Sequence, residues 1–431
     1  MDYICKECEK ENEYGWCKAC NGKNFQQNFK NWTSGNNDID KFIQDTQLSA
    51  TNYQKVLEWI PYNKLYDIEY IAKGGFGKVY RAKWFDGYIK SWDNINKNWE
   101  RSLSNKYVAL KSLNNSENVT SEFINEITMH FKTRKYKTIS VIRVYGITQD
   151  PETKNYMMVL RYAENGSLRA YLDKNYHELS WNTKLEYLWN ITLGLQSIHE
   201  KELIHRDLHI GNILSFGSQV TVTDMGLCKP ADYNASENPK ISIYGVLPYI
   251  APEVLRGQNY NKAADIYSFG IIMYEVISGL PPYHDVSHDK NLAIKICQGL
   301  RPRFSNIKVP QLIVNLVKRC LDANPINRPE AVEIENILYK WCYGDKEELQ
   351  KQIIEAEKIN NSLPTSSMPL TSSSYETHSE AIYTSRLLSF NNLPEPKNSD
   401  DYYNEQNDNI ISEKFSESLQ IDISRLKINE I

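Results

Sequence analysis

His205-Arg206-Asp207-Leu208-His209-Ile210-Gly211-Asn212 is followed, after a short hydrophobic run, by Asp224-Met225-Gly226. The two stretches place one proton-accepting carboxylate and two oxygen-bearing side chains within a short span of chain. Transfer of a phosphoryl group to a hydroxyl needs that set: a carboxylate to orient and deprotonate the acceptor, and hard oxygen ligands for the magnesium that accompanies the phosphates. Short acidic motifs carry little weight alone, so their reading depends on whether the other parts occur in order and in the right structural context.

Upstream, Ile71-Ala72-Lys73-Gly74-Gly75-Phe76-Gly77-Lys78-Val79 reads as a glycine-rich hairpin. Its glycines let backbone N–H groups approach phosphate oxygens that a Cβ would hold off. Val108-Ala109-Leu110-Lys111 reads as a strand ending in a point charge. Glu126 lies in a helical segment whose Phe123 and Ile127 share one face, so its carboxylate can reach a neighbouring strand and hold Lys111 extended. Taken singly, a glycine cluster is more often a turn, and a lone Lys or Glu a solvated charge. The joint spacing of Asp207, Asn212 and Asp224 favours the chemical reading.

From about Leu65 to Trp341 the chain resembles the eukaryotic protein kinases, on these motifs together with Ala251-Pro252-Glu253, Asp265-Ile266-Tyr267-Ser268-Phe269-Gly270 and Asn327-Arg328-Pro329. With Leu247-Pro248-Tyr249-Ile250, it is most similar to the tyrosine-kinase-like branch, whose members mostly phosphorylate serine and threonine. The resemblance implies an α+β, two-lobed fold: a small, mainly β lobe with one regulatory helix, and a large, mainly α lobe. It implies ATP and Mg2+ as cofactors. Lys111 would hold the α- and β-phosphates and pair with Glu126, Asp207 would take the acceptor's proton, and Asn212 and Asp224 would hold magnesium. Ile71, Val79 and Ala109 would roof the adenine and Leu214 floor it. Leu160 would be the gatekeeper, with the Arg161 carbonyl and Ala163 amide reading the adenine edge. Asp265, Glu253 and Arg328 would give structural support, the last two as a pair.

Departures from the family pattern concern the same loop. Ala72 replaces the first glycine of the hairpin and Met225 the usual phenylalanine. His209 stands where serine/threonine kinases carry a lysine that contacts the transferred phosphate, Gly211 supplies no arginine in its place, and Val246 replaces the threonine that bridges to that lysine. The expectation is a variant catalytic loop with His209 beside the γ-phosphate, so the acceptor amino acid stays open. Activity as a protein kinase in signal transduction and service as an ATP-binding pseudokinase scaffold are the two readings.

The chain has 431 residues, 41% hydrophobic content and a formal net charge of −4, enough for a two-lobed domain with peripheral segments and no general attraction to nucleic acid. No apolar run approaches a membrane span, and Met1-Asp2-Tyr3-Ile4-Cys5-Lys6 lacks a signal-peptide core. A cytoplasmic or nuclear residence is expected, with a protein as substrate. Cys5-x2-Cys8 and Cys17-x2-Cys20 have the form of paired knuckles that wrap four thiolates around zinc, although the eight-residue spacer is short. A small zinc ribbon over residues 1–24 and an unmetallated tail both stay open. Residues 25–60 read as a linker with a short helix at Asp38 to Asp45, 61–342 as the kinase domain, 343–360 as a helix, and 361–431 as a mostly disordered Ser/Thr/Pro-rich tail. Trp84 to Asn105 is an insertion with Trp92 and Trp99, expected as an elongated hairpin or docking flap. Within the tail, Ala381 to Leu388 is apolar enough for a docking or regulatory segment or for a chance cluster. The Cys box and the tail are the expected places for a regulatory partner.

Overall fold

The computed structural model describes residues 3–5, 7–12, 15–73, 77–113, 121–134, 140–231, 243–305, 307–362 and 375–399. The first elements are a short ribbon, β1 (Tyr3–Ile4) against β2 (Glu11–Asn12), and the helices α1 (Lys18–Asn28) and α2 (Asn37–Ser49). The Asn36 side chain caps α2 by accepting from the Asp38 and Ile39 N–H groups, which satisfies two otherwise orphaned donors. The helix runs longer than the expected Asp38 to Asp45, chiefly at its C-terminal end, where Gln47 is buried and donates to the Leu57 carbonyl at 2.8 Å.

A sheet follows from β3 (Glu58–Trp59), β4 (Leu65–Lys73), β5 (Gly77–Trp84), β8 (Lys106–Leu113), β9 (Val144–Gln149) and β10 (Tyr156–Arg161), in the order β3-β9-β10-β8-β5-β4. Between β5 and β8 a separate hairpin, β6 (Tyr88–Asp93) and β7 (Asn98–Ser102), accounts for the insertion. Helix α3 (Ser121–Thr133) crosses from β8 to β9. Strand β10 shows why the centre of the sheet is buried on both faces: Met158 and Leu160 join a cluster with Ile39, Ile43, Phe123 and Ile127, whereas Met157 and Val159 join one with Trp84, Val108 and Leu110. Side chains alternate across a strand, so a continuous apolar run requires a cover on each side. Helices α2 and α3 supply one of those covers.

Residues 25–60, read as a linker, pack on the small lobe. Strand β3 pairs in parallel with β9, and a Cβ on Gly146 would come within 2.2 Å of the Glu58 carbonyl oxygen, so this close approach requires glycine. Lys55 Nζ donates to the carbonyls of Phe131 (2.5 Å) and Arg134 (2.9 Å) at the end of α3, where a cation meets the negative end of the helix. The insertion docks the N-terminal segment: Trp99 stacks on Phe25 (ring centroids 4.2 Å apart) and on Trp16 (5.9 Å). The expected boundary at residue 24 falls inside α1 for the same reason, since Phe25 must reach Trp99.

The large lobe holds α4 (Leu168–Asn175), α5 (Trp181–His199), β11 (Leu203–Ile204), β12 (Ile213–Ser215), β13 (Val220–Val222), β14 (Lys229–Pro230), β15 (Ile243–Gly245), α6 (Pro252–Leu255), α7 (Lys262–Ser278), α8 (Lys290–Cys297), α9 (Gln311–Cys320), α10 (Ala331–Tyr343) and α11 (Glu347–Ser362). Helix α7 is buried around its whole circumference and runs through the core; its ends are fixed by the Asn261 side chain and by Gly279 at φ +77°. Arg328 forms a bidentate pair with Glu253 (2.7 and 2.8 Å), both buried. None of the described helices is long and apolar enough to cross a membrane.

A mostly disordered tail was expected over 361–431, with a docking segment as one reading of Ala381 to Leu388; residues 375–399 are ordered, and 363–374 and 400–431 lie outside the described residues. Here the chain lies along the large lobe and adds a strand, β16 (Arg386–Leu388), antiparallel to β15, with Ile243 opposite Leu388 and Gly245 opposite Arg386. Leu388 and Leu393 are buried in the large-lobe core cluster. That burial and the added backbone pairing offset the ordering entropy that composition alone suggested could not be met.

Candidate active site

Alternation along β8 places Val108 and Leu110 in the sheet's core and turns Ala109 and Lys111 to its other face. Lys111 Nζ there meets Glu126 Oε1 of α3 at 2.7 Å and Asp224 Oδ1 at 2.9 Å. Burial alone would lower the Lys111 pKa, but the carboxylates of Asp224 and Glu126 overcome it and hold the ammonium protonated. Asp224 stays ionised below the usual carboxylate range, despite its burial, through Lys111 and the Gly226 N–H. One cation thus faces two carboxylates, Glu126 buried and Asp224 partly exposed, which leaves an excess of negative charge at Asp224 suited to a divalent ion.

The catalytic loop is fixed from below. Asp265, in the first turn of α7, accepts from the backbone N–H groups of His205 (2.8 Å) and Arg206 (3.0 Å) and bonds His199 Nε2 (2.9 Å). Arg206 sits at φ +70° and Asp224 at φ +63°, conformations that non-glycine residues hold only when their surroundings impose them. The β12–β13 hairpin pairs Ile213 with Val222, and the Thr223 N–H donates to the Asn212 carbonyl at 2.9 Å. Asn212 and Asp224 therefore emerge side by side at the hairpin's open end. Asn212 Nδ2 donates to the Asp207 carbonyl (2.9 Å) and lies 3.4 Å from Asp207 Oδ2, so Asp207 and Asn212 meet, with Asp224 across the hairpin end.

The residues expected around adenine are partly assembled. Ala109 pairs across the strands with Leu160, and Ala109, Leu160 and Leu214 share one apolar cluster. Ala163 is buried just beyond. The Arg161 N–H donates to the Arg143 carbonyl (3.0 Å) and its guanidinium lies over Phe216 (4.0 Å). Ile71, Ala72 and Lys73 are exposed on β4, and Ala72 pairs with Val79 of β5. Gly77 begins β5; Gly74, Gly75 and Phe76 lie outside the described residues.

His209 lies beside the Asp207 carboxylate. Its Nδ1 accepts from the Gly211 N–H (3.2 Å), which assigns the ring proton to Nε2, and Nε2 lies 3.8 Å from Asp207 Oδ2. Burial pushes its pKa down, with Asp207 opposing. The ring thus faces the Asp207 carboxylate from a buried position that disfavours its charged form. Val246 is buried in the large-lobe core.

Ser385 was missed by sequence reasoning. Its Oγ lies 2.8 and 2.7 Å from the two carboxylate oxygens of Asp207 and 3.3 Å from His209 Nε2. The only sequence signal was the apolar character of Ala381 to Leu388, which says nothing of where the segment docks.

At the N-terminus the Sγ atoms of Cys5, Cys8, Cys17 and Cys20 all lie within 4.8 Å of one another, with Cys5–Cys20 at 3.7 Å and Cys8–Cys17 at 3.6 Å. Four thiolates about 2.3 Å from a tetrahedral zinc stand roughly 3.8 Å apart. Burial raises the Cys17 and Cys20 pKa values; at Cys5 burial is outweighed by the backbone N–H groups of Glu7 and Cys8, giving about 7. The donor set fits zinc.

Over residues 66–338 the chain matches the family described as protein tyrosine and serine/threonine kinase. It is 27% identical over 320 residues to the probable serine/threonine-protein kinase roco5 of Dictyostelium discoideum, covering 70% of this chain and 10% of that protein. A second probable serine/threonine-protein kinase of the same organism is 30% identical over 293 residues, 64% of this chain and 15% of its own length. The tyrosine-protein kinase SPK-1 of Girardia tigrina is 27% identical over 267 residues, 60% of this chain and 49% of that protein. The chain thus spans under a third of the two Dictyostelium proteins and about half of the third relative.

Proposed function

The chain belongs to the protein tyrosine and serine/threonine kinases, and from that premise we propose that it transfers the ATP γ-phosphate to serine or threonine hydroxyls of proteins in intracellular signalling. The observation that carries this is the convergence of Lys111, Glu126 and Asp224 on one ion-paired centre with Asp207 and Asn212 beside it. In this reading Asp207 orients the acceptor hydroxyl and takes its proton. Lys111, held straight by Glu126, places positive charge at the α- and β-phosphates, where it acts without reorganising during transfer. Asn212 and Asp224 offer the hard oxygens that would hold magnesium, which supplies charge neutralisation on the phosphates when bound. Ala109 and Leu214 would enclose the adenine, with Ile71 and Val79 above and Leu160 behind.

His209 argues for the hydroxyl of a small side chain as acceptor, since its Nε2–H points to the oxygen next to Asp207. All five chemical positions are filled, so catalysis is favoured over a scaffold role. The test is ADP release coupled to protein phosphorylation in magnesium. Asp224→Asn should lose both together; a variant that retained both would remove the assignment.

The four N-terminal cysteines would hold one structural zinc, which ties the ends of a segment too small to bury much core. In this proposal the protein works in the cytoplasm or nucleus, where the cysteines stay reduced for metal, and the Cys box is the surface left for a regulatory partner.

A further inference from the structure

We propose that Ser385 is an intramolecular phosphorylation site: the chain's own tail lies in the acceptor cleft as a substrate and receives the γ-phosphate from the same molecule's active site. The inference rests on the kinase reading above and goes beyond it by naming an acceptor. The Ser385 hydroxyl is within 2.8 Å of both Asp207 oxygens and 3.3 Å from His209 Nε2. That is hydrogen-bond reach of a general base, with His209 donating to the oxygen while Asp207 takes its proton.

The placement is built by many contacts on either side of the serine. Ahead of it, the His378 N–H donates to the His284 carbonyl (2.8 Å), the Ile382 N–H to His288 Nδ1 (3.0 Å) and the Tyr383 hydroxyl to the Pro282 carbonyl (2.9 Å). Behind it, Arg386 donates to the His288 carbonyl (2.6 Å), β16 extends β15, and Leu388 is buried. Farther on, Arg256 pairs with Glu395 (2.6 Å), and Asn398 accepts from the Ala323 N–H (2.9 Å). Adding a strand to an exposed edge is a general way of holding a peptide. Here it sets the register that delivers one hydroxyl to one carboxylate.

In the step itself, Ser385 Oγ forms a bond to the γ-phosphorus and its proton passes to Asp207. The bond from that phosphorus to the β–γ bridging oxygen breaks, and its electron pair leaves with ADP. Before the step the strap occupies the acceptor cleft. After it, a phosphoserine of about −1.5 to −2 charge lies against the Asp207 carboxylate. That repulsion expels the strap and opens the cleft to other proteins.

The experiment uses the full chain, dephosphorylated and repurified, with magnesium-ATP and dephosphorylated casein as external acceptor. Phosphate at Ser385 is followed by mass spectrometry at widely different protein concentrations. The expected result is one phosphate on Ser385 at a first-order rate that does not depend on protein concentration, with casein phosphorylation accelerating as it accumulates. Ser385→Ala should keep casein phosphorylation at its slow initial rate. Leu388→Glu, which undocks the strap without touching the catalytic loop, should lose the Ser385 event and start on casein several-fold faster. Casein phosphorylated while Ser385 stays unmodified overturns the inference and leaves the kinase reading standing, as does a Ser385 rate constant that rises in proportion to protein concentration. Transfer to neither acceptor overturns both.

Discussion

Lys111 illustrates how a single side chain is fixed by its surroundings. It is pinned between the buried Glu126 and the partly exposed Asp224, two carboxylates that would repel one another without it. Lys111→Met should lower phosphate transfer by roughly 100-fold or more, since the charge acts on the transfer step, while ATP affinity falls far less because apolar contacts hold the adenine. Comparing kcat with the ATP Kd checks this; equal losses in both would mean that Lys111 serves only binding. His209 yields a pH prediction. Burial lowers its pKa below the usual 6.5, so the imidazole is neutral through pH 7 to 8 and gains charge only on the acid side of that value. The ratio of kcat for His209→Lys to that of the parent should be flat from pH 7 to 8 and change only below about 6.5. A ratio that climbs between 7 and 8 would place the titration above the usual value and contradict the burial argument. The pairing of Lys111 with Glu126 was legible because both sit on periodic elements, whereas the partner of His209 was not, since Ser385 lies 176 residues away in sequence.

Elements show the same division. The hairpin of the insertion was expected from its two tryptophans, but its purpose emerges only from Trp99 stacking on Phe25 and Trp16. Aromatic pairs of this kind contribute about 0.5–1.5 kcal/mol each beyond area burial. Trp99→Ala should therefore loosen residues 15–60, seen as faster amide exchange there, and leave the exchange of α7 unchanged. Uniform acceleration would mean the N-terminal segment is not a separate cooperative unit. The cysteine box should bind one zinc per chain, read by native mass spectrometry of the full protein, and Cys5→Ser with Cys8→Ser should abolish the adduct. An unaltered adduct would assign the metal elsewhere. Helix α2 outran its expected end because Gln47 is held by the Leu57 carbonyl of a later segment, and the strap was not legible because a short strand acquires meaning only from its partner, here β15.

For the whole molecule, the order of motifs from Lys111 to Arg328 carried the two-lobed architecture, since each motif needs the next one's geometry. The Glu253–Arg328 pair is an instance: its two bonds tie the activation segment's end to the loop before α10. Arg328→Ala leaves a buried carboxylate unpaired and should cost about 3–5 kcal/mol of stability, measured by denaturant unfolding; a loss below about 1 kcal/mol would show the pair to be dispensable. What the sequence could not convey is the chain folding back on itself, with residues 25–60 closing the small lobe and 375–399 crossing the large one. Both depend on contacts between distant segments that no local pattern encodes. The claim on which the rest depends is that Asp207 is the base of a phosphoryl transfer. The direct measurement is total labelled phosphate moved from ATP to protein, on the chain itself and on casein together, by the parent and by Asp207→Asn. The account predicts a fall of roughly 100- to 10,000-fold with ATP still bound; transfer by Asp207→Asn at the parent's rate would contradict it.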